Sequence, residues 1–113
     1  MADPRKPLVW LKGEIKSPPF SSAGRVEAGT LLARLQNREP LGMPHSRPMT
    51  AVGSGCHELR VRDGSHNWRI VYRVEPDGIL ILEVFAKKTR ATPHEVIEAC
   101  KRRLANYLKS ASE

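Results

Sequence analysis

The chain has 113 residues and carries 19 Lys and Arg against 12 Asp and Glu, a formal charge of +7. That length suits one small domain, here read as 1–113, with its own core, and the charge favours a polyanionic partner, nucleic acid or an acidic protein. Cys56 and Cys100 show no metal-ligand spacing, MADPRKP is not an apolar leader, and nothing approaches the about 18 apolar residues of a membrane span, so a soluble, reduced, cytoplasmic protein with no membrane partner is expected.

LVWL, Leu8 to Leu11, predicts a first strand, and SPPF breaks the chain after it. From Ser21 to about Arg38 the pattern is helical: Ser21 or Ser22 can cap, and Ala28, Leu31, Leu32 and Leu35 fall on one stripe. Gly24 and Gly29 weaken that helix by about 1 kcal/mol each relative to alanine. Glu39 to Gly55 is rich in Pro, Gly and Ser and predicts a loop, with room for a short turn of helix. It carries His45 and Arg47 in MPHSRPM, and a loop this long is often functional.

The period then switches to two. In HELRVRD, Leu59 and Val61 point one way and Glu58, Arg60 and Arg62 the other. In WRIVYRV, Trp68, Ile70, Tyr72 and Val74 share a face, with Arg69, Val71 and Arg73 opposite. DGSHN between them reads as a hairpin loop. After Pro76-Asp77-Gly78, ILILEVF is nearly unbroken in apolar character and predicts a central strand covered on both faces. A helix is expected to start at Thr92-Pro93-His94-Glu95, with Thr92 and Glu95 as a capping box and Pro93 at the first helical position. Val96, Ile97, Cys100, Leu104 and Leu108 form its apolar stripe.

Alternation gathers Arg60, Arg62, Arg69 and Arg73 on one sheet face, and Lys87, Lys88 and Arg90 emerge from the end of the third strand of this meander. Cations so placed repel one another unless an anion sits between them, and Glu58 offsets only part of this. Arginine forks and lysine point charges suit phosphate, and such groups stabilise extra charge developing at phosphorus. The alternative is a solvated outer face whose charges discourage aggregation. Other chemistries lack a signal. There is no Gly-rich phosphate loop, His45, His57, His66 and His94 have no zinc spacing, the loop serines form no triad, and carboxylates are too sparse for a two-acid hydrolase. Most of the aromatic residues look like core.

CHELRV, WRIVYRV and FAKKTRATPHEVIEA, taken together, resemble the RelE/HigB toxin superfamily. The likeness is to its phage-protein-derived branch, whose members carry F-x-K-K-T-x-x-T-P before the last helix, and it runs from PLVWL to the terminal helix. The resemblance implies an α+β, RelE/ParE-like fold, with an N-terminal strand and helical packing on a mainly antiparallel sheet and a C-terminal helix. It implies the toxin half of a type II toxin–antitoxin pair, an endoribonuclease that cuts mRNA, usually on the ribosome, and is silenced by a cognate antitoxin, often a helix-turn-helix protein. No metal or cofactor is implied: the ribose 2′-hydroxyl attacks the adjacent phosphate, leaving a cyclic phosphate and a 5′-hydroxyl.

Carried onto this sequence, the resemblance assigns Arg60, Arg69, Lys87 and Lys88 to the clamp on the scissile phosphate. Several relatives use a late tyrosine or histidine as proton donor. Here Tyr107 is expected to pack, and Glu58, His57 and His94 are candidates for acid or base. His45, Arg47, Arg62, Arg73 and Arg90 are expected to contact RNA. ParE-type relatives poison DNA gyrase instead, and a catalytically inactive antitoxin-binding module is a third reading.

Overall fold

The alternating stretch from Cys56 to Ala86 folds into three consecutive antiparallel strands at the heart of a five-stranded sheet. The computed structural model describes residues 5–17 and 19–112. Along the chain run β1 (Leu8–Trp10), α1 (Ser22–Gln36), β2 (Ser46–Pro48), β3 (Cys56–Asp63), β4 (His66–Glu75), β5 (Gly78–Ala86) and α2 (His94–Ala111). Spatial order is β1-β5-β4-β3-β2. The short β1 runs parallel to β5 and every other pair is antiparallel. The α+β architecture is the one the sequence implies.

Alternation divides the core in two. Leu59, Val61, Trp68, Ile70, Tyr72, Ile79 and Ile81 pack against Ala28, Leu31, Leu32 and Leu35 of α1. Phe20, just before that helix, stacks on Trp68 with ring centroids 4.1 Å apart. On the opposite face Cys56, Val71, Leu80 and Leu82 pack against Cys100 and Leu104 of α2. Ile79 to Leu82 are therefore fully buried, with a helix over each face, and this is why their run is continuously apolar. A bulge sharpens the α2 side. Val71 pairs with Glu83 but Tyr72 with Ile81, leaving Leu82 as an extra residue. Arg103 of α2 then bonds the Leu82 carbonyl at 2.9 Å and the Glu83 carboxylate at 3.1 Å.

Three local readings are corrected. The loop expected over Glu39 to Gly55 contains β2, which pairs with His57 to Leu59 and is pinned by a 2.6 Å hydrogen bond between Ser46 Oγ and Tyr72 OH. Three residues ending in proline carry no readable period. The DGSHN loop is tighter than expected: strand pairing reaches Asp63 and His66, and Gly64, at φ 61°, permits a two-residue turn. Thr92 does not cap α2; Pro93 holds that position without a side-chain bond, because the Thr92 hydroxyl donates instead to Glu58 Oε2 at 3.2 Å. Leu108 and Val74, each the last residue of its apolar stripe, stand 39% and 42% exposed, at the far end of α2 and near the end of β4. At α1 the expectation holds: Ser21 caps, accepting from the Gly24 amide at 3.0 Å. Among the described residues no helix is long and apolar enough to cross a membrane.

Candidate nucleic-acid interface

The residues of β3 and β4 that turn away from α1 fall into rows across the sheet. In one row β2 brings Arg47 opposite Glu58, which faces Val71. In the next, Arg60 lies directly opposite Arg69, which faces Phe85. In the third, Arg62 faces Asn67. The α2 helix covers the other end of this face, over Cys56, Val71 and Leu80, and the Arg60–Arg69 and Arg62–Asn67 rows lie beyond it and line open grooves. Just past β5, the Lys87 amide donates to the Asn67 carbonyl at 2.7 Å, which holds the Lys87–Arg90 segment beside Arg69.

The result is a groove of about 410 Å³ lined by Arg47, Arg60, Asn67, Arg69, Lys87, Lys88, Thr89 and Arg90. An adjoining groove of about 580 Å³ shares Arg60, Asn67 and Arg69 and adds His45 and Arg62, with Gly24 and Glu27 of α1 along its wall. Six cationic side chains expected to meet phosphate or RNA thus line one groove, and His45 and Arg62 line its extension. Arg73 stays outside. It shares the sheet face but lies further along β4, 3.7 Å from Glu75. His94 opens α2 in an exposed position and lines neither groove. His57 belongs to the α1 face, stacked on Tyr72 at 5.5 Å, and Tyr107 packs into the α2 core as expected.

Beneath the cations lies Glu58, only 1% exposed. Its Oε1 is 3.2 Å from Arg69 Nε and 4.0 Å from Lys87 Nζ, and its Oε2 accepts from Thr92. The Arg69 contact is an ion pair off the line of a hydrogen bond, so Glu58 Oε1 and Arg69 Nε each lack a hydrogen-bond partner. Burial pulls the Arg69 pKa below its ordinary value; Glu58 opposes that shift, and the neighbouring Arg60 and Arg47 add to it. The guanidinium stays charged throughout. Arg60 differs from Arg69: among the described residues no carboxylate lies within 4 Å of it, and its side chain makes only a long 3.9 Å contact to Met43 Sδ.

One family model, Phage derived protein Gp49-like (DUF891), matches residues 19–105. The chain belongs to that family. The matched span takes in every groove residue of this Gp49-like protein, from Ala23 to Arg90, together with Thr92 and most of α2. Neither the curated proteins nor the solved structures compared with the chain gave a match.

Reading the sequence alone misses three groove features of the Gp49-like chain. Asn67 falls inside a stretch that reads as a loop, although extending the β4 alternation back by one step would have placed it beside Arg69. Thr92 reads as a helix cap, because its use by Glu58 depends on a contact across 34 residues. The depth of Glu58 goes with the long-range contacts of Lys87 and Thr92, which alternation cannot foresee. Chemically, the groove presents several guanidinium and ammonium groups, most without a carboxylate partner, around a floor that holds one buried carboxylate. That arrangement suits a phosphate-bearing guest better than a neutral one.

Proposed function

We propose that this Gp49-like chain is the toxin of a type II toxin–antitoxin pair and acts as an endoribonuclease on mRNA engaged by the ribosome. The observation that carries the reading is the direct opposition of Arg60 and Arg69 on β3 and β4, with Lys87 completing the cluster. Family membership and the resemblance to RelE and HigB support a toxin role. The substrate strand lies along the groove, its scissile phosphate among Arg60, Arg69 and Lys87, with Arg47, Lys88 and Arg90 meeting flanking phosphates. The ribose 2′-oxygen attacks phosphorus: the O2′–P bond forms, the P–O5′ bond breaks, the 2′ proton leaves and O5′ takes one up. The products are a 2′,3′-cyclic phosphate and a 5′-hydroxyl. Charge on the non-bridging oxygens grows along this path, so cations fixed around them lower the barrier. A cognate antitoxin, in this reading a helix-turn-helix protein, silences the toxin by laying an acidic or amphipathic segment over the same groove.

Induced expression tests the proposal. The wild-type chain arrests growth and leaves transcripts cut within codons, and co-expression of the adjacent gene's product restores growth. Arg60→Ala, which leaves no buried carboxylate uncompensated, abolishes both effects in a folded protein. Full arrest with intact transcripts would contradict the nuclease, and arrest with DNA-damage signals would assign the toxin to gyrase.

A further inference from the structure

A carboxylate as deeply buried as Glu58 is costly unless its surroundings neutralise it. Three separate parts of the chain converge to do so: Arg69 from β4 and Lys87 from the end of β5 on Oε1, and Thr92 from the segment before α2 on Oε2. The Thr92 contact leaves α2 without a side-chain cap, so an ordinary local interaction has given way to one that reaches the floor of the groove. Arg69 is fixed from a second side, its Nη1 donating to the Trp68 carbonyl at 3.1 Å. Its Nη2 makes no hydrogen bond among the described residues, and Arg69 lines both grooves.

We propose that Glu58 is a positioning residue for phosphodiester cleavage: it orients Arg69 and Lys87 and tethers the Lys87–Thr92 segment through Thr92, and it is not the general base. The inference rests on the nuclease reading for its consequence and on the contacts of Glu58 for its geometry. A general base has to reach the 2′-hydroxyl, whereas Glu58 is only 1% exposed beneath the groove surface, its Oε1 ion-paired with Arg69 and Lys87 and its Oε2 accepting from Thr92. The carboxylate also sets the local charge. Arg60, Arg69 and Lys87 with Glu58 leave about +2 around the guest. A bound phosphodiester carries about −1, and the five-coordinate transition state approaches about −2. The floor charge therefore brings the cluster into balance with the transition state rather than with the bound substrate, which is the difference that accelerates a reaction.

Glu58→Gln tests this, because it keeps the shape and the acceptor for Thr92 while removing the charge. The expected result is a fall in kcat of about 100-fold. Affinity for an RNA made non-cleavable by a 2′-deoxy substitution at the scissile position stays the same or tightens, because the groove gains positive charge. The pH profile of kcat keeps its shape. An unchanged kcat, loss of the acidic limb of the pH profile, or loss of RNA binding by a folded variant would each overturn the proposal. Should Glu58→Gln fail to fold, Thr92→Val removes only the tether: kcat is expected to fall about tenfold with RNA affinity retained, and an unchanged kcat would contradict the tether. A readout independent of catalysis is the Nε–Hε NMR signal of Arg69, expected to be resolved in the wild type, where burial and the ion pair with Glu58 hold the group away from water, and to exchange faster in Glu58→Gln. If the wild-type protein cuts no RNA, the nuclease reading fails while this signal still decides the positioning. Equal exchange in the two proteins would overturn the positioning whatever the RNA does.

Discussion

Arg60 and Arg69 stand directly opposite each other on adjacent antiparallel strands, two guanidiniums on one face with a single buried carboxylate near only one of them. Like charges so paired cost roughly 0.2–1 kcal/mol. In the proposed nuclease this pair receives the anionic guest, and removing either member has a different consequence.

Arg60→Gln relieves the opposition without orphaning any carboxylate. It is expected to raise stability slightly, by up to about 1 kcal/mol in urea denaturation, while weakening RNA binding. A variant less stable than the wild type would show that Arg60 is held by contacts the groove geometry does not include.

Arg69→Ala leaves Glu58 buried with only the more distant Lys87 and the Thr92 hydroxyl. Breaking a buried pair from one side costs about 3–5 kcal/mol. Arg69→Lys keeps a cation over Oε1 and should lose well under half of that, yet it forfeits the fork that grips phosphate. Urea midpoints for the two variants separate the charge from the geometry.

If RNA occupies the groove as proposed, the salt dependence of its binding counts the cations that meet phosphates. For a single strand the slope of log K against log salt changes by about 0.7 per phosphate contact. Lys88→Ala and Arg90→Ala are each expected to flatten the slope by about that amount. Arg73→Ala should leave it unchanged, because Arg73 sits beside Glu75 outside both grooves.

Acid tests a different joint. Asp63, at the end of β3, accepts from the Ser21 hydroxyl and from the Ser21 amide, and from the Trp68 indole at 3.3 Å. The Ser21 bonds lead in holding its carboxyl below the ordinary carboxylate range. A depressed value means the ionised form favours the folded state. That stability is fully present above about pH 4 and is lost as pH falls through the lowered value. Asp63→Asn should therefore remove part of the acid sensitivity of Tm. Ser21→Ala loses both this link and the α1 cap, the cap alone worth about 1 kcal/mol. Gly24→Ala, ordinarily favourable in a helix, is expected to destabilise, since a Cβ there runs into the Asp63 carboxyl.

How much of this was readable depended on how local the cause was. Strand alternation over Cys56 to Ala86 is a property of neighbouring residues, so the sheet, its two faces and the Arg60–Arg69 row were all legible. So was the α1 stripe, with Ser21 as its cap. Thr92 and Glu58 were not, because the contact that redirects the threonine spans the fold and outcompetes the capping box its own neighbours suggest. β2 was invisible for another reason: Ser46 to Pro48 form an edge strand through pairing with β3 and the Ser46–Tyr72 bond, neither of which leaves a periodic trace. Arg73 shows the limit of alternation itself. It names the correct face but says nothing of distance along the strand, and so gathers Arg73 with cations that lie elsewhere.

The ends of cut RNA report most directly on the proposed cleavage. Purified protein added to ribosomes programmed with a defined mRNA should yield upstream fragments ending in 2′,3′-cyclic phosphate and downstream fragments beginning with a 5′-hydroxyl. Arg60→Ala should slow their appearance by about 100-fold or more with no loss of stability. Uncut mRNA, or fragments beginning with a 5′-phosphate, would contradict it.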